Sequence, residues 1–151
     1  MSKETKLALY KACQDYAQSR IDEIKLAISS AQNAANSETK STAGDKHDTA
    51  RAMMQLDVEQ KSKQQAEAEK LKMALAQFSP DSGNSAVGLG SLVQTNAASY
   101  YLSISAGKLE IDGKTYFAVS PVSPIAQAMK GKVAGDSFSF NGRSFEIQEL
   151  L

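Results

Sequence analysis

The sequence predicts an α+β protein: an antiparallel α-helical coiled-coil hairpin over residues 1–78, a linker over 79–86, and a small antiparallel β-sheet domain with one short helix over 87–151. Two observations carry that division. All three prolines and eight of the nine glycines of the 151-residue chain fall after residue 78, and these are the residues that end helices and make turns. The apolar period also changes, from alternating steps of three and four in the first half to strict alternation in the second.

In the first half Leu7, Tyr10, Ala17, Ile21, Ile24, Ile28, Ala31 and Ala35 form a heptad seam broken at Gln14. The return arm repeats the spacing at Ala50, Met54, Ala68, Leu71, Leu75 and Phe78, with Asp57, Lys61 and Gln64 in the middle of the seam. The bend is expected inside residues 36–46. Arms of about 30 residues span roughly 45 Å at 1.5 Å per residue, and the polar middle predicts weak pairing there. In the second half YYLSIS (Tyr100 to Ser105) reads as a strand. Asp112-Gly113 and Asn141-Gly142 lie between alternating runs and predict two-residue hairpin turns. In SPIAQAMKG, Ser123 can cap a helix, Pro124 suits its first turn and Gly131 can end it.

Charge is balanced, with 17 basic and 17 acidic residues, which argues against nucleic-acid binding through overall electrostatics. No apolar run approaches the ~20 residues of a membrane span, and the N-terminal stretch lacks the apolar core of a signal peptide. A cytoplasmic protein without membrane association is expected. Cys13 is the only cysteine and reads as a small packed hydrophobe.

The segment expected at the bend, STAGDKHDTARAM, places Asp45 and Asp48 three residues apart. As N-cap and third residue of the return helix they would stabilise it by about 1 kcal/mol. As two carboxylates on one face of a first turn, they could instead hold a hard divalent cation such as Mg²⁺. His47 lies between them, and Lys40, Lys46 and Arg51 flank them.

Two stretches carry a family resemblance. VGLGSLV (Val87 to Val93) and SPVSPIAQAMKGKVAGDSF (Ser120 to Phe138) resemble the C-terminal domain of the bacterial Gre transcript-cleavage factors, above all in the spacing of Ser123-Pro124, Gly131-Lys132 and Gly135-Asp136. Gly44-Asp45-Lys46-His47-Asp48 resembles their Gly-Asp-x-x-Glu tip, and Asp-x-x-Asp-x-Ala is similar to the tip of DksA. The resemblance implies a C-terminal domain similar to FKBP and a monomer that enters the secondary channel of RNA polymerase. There, Asp45 and Asp48 would help hold a second Mg²⁺, bound only in the complex, and so stimulate the polymerase's own cleavage of backtracked RNA near its 3′ end. The protein alone would not be an enzyme. By the same resemblance Ser120, Pro121, Ser123, Pro124 and Lys132 would dock on the polymerase, and Lys46 and Arg51 would contact it or the RNA near the tip.

Two features depart from the family. Aspartate stands at position 48 where the family has glutamate, and SISAGKLEIDGKTYFAV replaces a shorter acidic segment. A channel-binding regulator without cleavage activity is therefore a second reading, and a coiled-coil interaction module unrelated to polymerase is a third. Prolyl isomerase activity is not inferred from an FKBP-like fold, because the few aromatic residues of this half are needed for its core.

Overall fold

A computed structural model describes residues 2–41 and 45–151, with the side chains of residues 35–41 and 45–47 outside the described set. Its elements are α1 (Lys3–Ser41), α2 (Asp45–Leu75), β1 (Leu92–Thr95), β2 (Ser99–Leu102), β3 (Gly107–Ile111), β4 (Lys114–Val119), α3 (Pro124–Met129), β5 (Ser137–Phe140) and β6 (Arg143–Leu150). Two long helices, a six-stranded sheet and one short helix make the fold α+β. The chain forms two compact units, one of Ala17–Lys70 and one combining the residues up to Tyr16 with Leu71–Leu151.

In the Ala17–Lys70 unit, Ile21 and Ile24 of α1 bury against Ala68 of α2, with Ile28 beside them. A contact this far from the connection on both helices means that they run antiparallel. The face of α2 turned inward passes through Met54, Asp57, Lys61 and Gln65, all half-buried, while Gln64 is exposed. The seam thus takes Gln65 where the heptad spacing pointed to Gln64. Lys61 and Asp57 pair within the helix at i, i+4, which lets two charges lie partly buried without facing apolar surface alone.

The other unit is built on the sheet, whose order is β3-β4-β2-β1-β6-β5. It is mixed, which corrects the expectation of an antiparallel sheet: β4 pairs parallel to β2, with Tyr100 opposite Phe117 and Leu102 opposite Val119. The cause is a skipped position. The chain leaves β2 through Ser103, whose N–H donates to the Val119 carbonyl at 2.9 Å, and forms β3 one place further out. The β3–β4 hairpin then fills the gap with a strand running the same way as β2. Both predicted turns are present, with positive φ at Asp112 (51°) and Gly113 (78°) and at Asn141 (52°) and Gly142 (75°), the signature of mirror-image turns that follow strand twist.

Both faces of this sheet are covered. On one, Val93, Leu102, Phe138 and Ile147 pack with Ala126 and Met129 of α3. On the other, Tyr101 meets Phe78 edge-on, with ring centroids 6.4 Å apart, and Phe78 meets Tyr10 of α1 in the same way at 5.4 Å. The first turns of α1 therefore bury the face that the sheet dictates. Lys6, Leu9 and Cys13 are buried, while Leu7 is 51% exposed and Gln14 is exposed; the expected seam is displaced by one residue in this segment. Three polar contacts sit along it. Lys6 Nζ donates to the Ser82 carbonyl at 2.6 Å, Tyr10 Oη to the Leu75 carbonyl at 2.7 Å, and Cys13 Sγ lies 3.5 Å from Ser103 Oγ.

Burial shifts three groups here. It lowers the Lys6 pKa and raises those of Cys13 and Tyr101. The Tyr101 hydroxyl is also buried, with no hydrogen-bond partner among the described residues, which costs about 1–3 kcal/mol. Groups whose folded pKa is raised contribute stability that is complete below their unfolded values, 9.0 for Cys13 and 10.0 for Tyr101, and lost as pH climbs toward the folded values. Lys6 acts in the opposite sense, since the cost of burying its charge is relieved as pH rises toward 10.5. Tyr101→Phe removes both the unpaired hydroxyl and one alkaline loss. It is expected to match or exceed the wild type in urea unfolding at neutral pH, and to lose less stability between about pH 9 and about pH 11.

Candidate functional site

The tip and the Ser-Pro loop belong to different units and are described in turn. At the tip, α1 ends at Ser41 and α2 begins at Asp45. Gly44 and the side chains of Asp45, Lys46 and His47 lie outside the described residues. Asp48 is exposed in the first turn of α2, and Arg51, one turn on, is exposed as well. Three residues apart on a helix, they share a face. Among the described residues no group of three or more His, Cys, Asp or Glu side chains is placed to hold a metal ion. By donor chemistry the Asp48 carboxylate suits a hard cation, which takes oxygen ligands and keeps several waters. One exposed carboxylate supplies only part of a coordination shell.

The loop from Ser120 to Pro124 is a closed, self-bonded structure. Ser123 Oγ donates to the Ser120 carbonyl at 2.6 Å and accepts from Ala126 N at 3.4 Å, so one hydroxyl shuts the loop and caps α3. Pro124 occupies the first turn of that helix, where its missing N–H is no loss. Ser120 Oγ accepts from Val122 N at 3.3 Å, and the Gln127 side chain donates to the Val122 carbonyl at 3.1 Å. These bonds present Val122 at the apex, 76% exposed.

The spacing of the serines and prolines does not single out Val122. An apolar residue between two Ser-Pro pairs is the only signal for it. Beside the loop, Ser120 and Pro121 form one wall of a groove of about 270 Å³ whose apolar lining includes Leu71, Leu89 and Ile104. Those three come from distant parts of the chain, and no local motif announces them.

Lys132 follows α3. Its carbonyl accepts from Val87 N at 2.8 Å, and Gly131 N donates to the Val87 carbonyl at 2.9 Å, which clips the start of the sheet domain to the end of the helix. Gly131 reaches this with φ of 79°. Gly135 and Asp136 close the next turn, where Asp136 Oδ2 accepts from Val133 N at 2.9 Å. Ser123-Pro124, Gly131-Lys132 and Gly135-Asp136 thus have structural work in this fold. Ser120, Pro121, Ser123 and Pro124 are brought together in one loop, and Lys132 follows them past α3. No helix among the described residues is long and apolar enough to cross a membrane.

No protein-family model matches the sequence, and no curated protein matches it.

Proposed function

We propose that this protein is a Gre-type factor that enters the secondary channel of RNA polymerase and stimulates cleavage of backtracked RNA. The observation that carries the reading is the Gly44-Asp45-x-x-Asp48 motif, with Asp48 exposed in the first turn of a 31-residue helix that follows a 39-residue one. At 1.5 Å per residue these helices are roughly 46 and 58 Å long, enough to carry a tip into a deep channel. The sheet unit would be the FKBP-like docking domain, with the Ser120–Pro124 loop and Lys132 on its binding surface.

In this account the polymerase supplies most of the ligands and the active-site geometry. A bound Mg²⁺ would supply charge stabilisation for phosphodiester hydrolysis. Asp45 and Asp48 would help hold the second ion or orient the attacking water, and Lys46 and Arg51 would offset the charge of the RNA backbone. Asp48 reaches one methylene less far than a glutamate would, so the factor would depend on close seating of the tip.

The first test is capture of RNA polymerase by the full chain. The proposal requires binding that Val122→Asp weakens, since this substitution places a charge at the apex of the docking loop without touching the tip. Failure to bind polymerase overturns the proposal and leaves a coiled-coil module with another partner. Binding without cleavage converts the reading to a channel-bound regulator.

A further inference from the structure

β3 is an outer strand of the sheet, so one of its edges carries no ladder. A two-residue turn makes its flanking residues, Ile111 and Lys114, a hydrogen-bonded pair. The register then alternates through Glu110–Thr115, Leu109–Tyr116, Lys108–Phe117 and Gly107–Ala118. Lys108 and Glu110 are therefore the residues whose N–H and C=O groups point away from β4. Their side chains are 61% and 66% exposed, with Lys108 Nζ 3.7 Å from Glu110 Oε1, and the space beside Gly107 is open.

The order Lys108-Leu109-Glu110 inverts its own charge about Leu109. We propose that this edge pairs antiparallel with the same edge of a second copy of the chain, about a two-fold axis through Leu109. In that register Lys108 faces Glu110 of the second copy, and Glu110 faces its Lys108. Opposite charges directly across two strands are favourable, and like charges are not. The same register makes each Lys108–Glu110 pair a hydrogen-bonded one, because these residues already direct their main-chain groups outward. Half-buried Leu109 meets Leu109 on the other face.

Main-chain and side-chain demands thus select one register. A shift by one residue would set Lys108 opposite Leu109 and lose both. A two-fold contact of this kind is closed and stops at two copies. Exposed charges on an edge strand ordinarily discourage pairing; here their order discourages every partner except one that carries the reverse order. A ladder this short buries less than the roughly 1,200 Å² of a standard interface, so the association is weak and appears at high concentration. It is independent of the polymerase reading, since it uses neither the tip nor the Ser-Pro loop.

The test is sedimentation equilibrium of the full chain over a rising concentration series, with Lys108→Glu and Glu110→Lys each alone and mixed in equal amounts. The expected result is a wild-type mass that climbs toward twice the monomer. Each variant alone stays monomeric because like charges then face each other, and the mixture regains association because unlike charges do. A wild type that stays monomeric throughout, single variants that associate as the wild type does, or a mixture that stays monomeric would each overturn the proposal. Far-ultraviolet circular dichroism checks that both exposed substitutions leave the fold intact.

Discussion

Leu9→Ala is expected to destabilise the protein by about 2–5 kcal/mol, whereas Leu7→Ala should cost about 1 kcal/mol or less. The two leucines are neighbours but one half-turn apart in environment. Leu9 has no exposed surface, and Leu7 is half open to solvent. Truncating Leu9 removes apolar contacts and leaves a cavity on the face of α1 that also buries Lys6 and Cys13, which a close-packed interior fills only in part. Truncating Leu7 removes surface already in contact with water. Urea unfolding of the two variants measures the difference. Equal losses, or a larger loss at Leu7, would mean that the first turns of α1 bury the heptad face and do not pack on the sheet.

Gly90→Ala is the second large effect, expected at about 2–4 kcal/mol. Gly90 has φ of 84°, where an L side chain is strained, and an added Cβ would lie 2.9 Å from Phe78 Cδ2. Phe78 cannot easily yield, because its ring is fixed edge-on between Tyr10 and Tyr101. Gly88→Ala, two residues earlier, meets nothing within 4 Å and carries no positive φ. It should therefore change stability by less than about 1 kcal/mol, in the stabilising direction, because alanine restricts the unfolded chain. Thermal unfolding of the pair separates close packing from a general cost of losing glycine. Similar melting temperatures for the two would contradict the packing of Phe78 on the Gly90 backbone.

What could be read from sequence was mostly local. Asp112-Gly113, Asn141-Gly142 and the Ser123-Pro124 helix start are each decided by a few adjacent residues, and each forms as expected. The heptad seam held where two helices face each other, at Ile21, Ile24 and Ala68. It failed at Leu7, because the sheet sets the buried face there, and a helix period alone cannot say which neighbour a helix will have. The place of β4 was hidden for a related reason. A hairpin motif fixes its own two strands, and nothing in EIDGKTYF says which of them will lie beside β2. Asp48 could be placed at the start of a helix from its neighbours alone. The groove joining Leu71, Leu89 and Ile104 to Pro121 could not be foreseen, since those residues meet only after the end of α2 has packed beside the sheet.

The central claim is that the tip carboxylates act in another enzyme's active site. Its most direct measurement uses stalled, backtracked RNA polymerase with labelled RNA and Mg²⁺, to which the wild-type protein or Asp45→Asn is added. The wild type is expected to accelerate cleavage, and Asp45→Asn to bind polymerase equally well but lose the stimulation on the order of a hundredfold, the scale of removing a charged group that stabilises the reacting centre. Equal stimulation by both proteins, or polymerase binding with no stimulation by either, would contradict the claim.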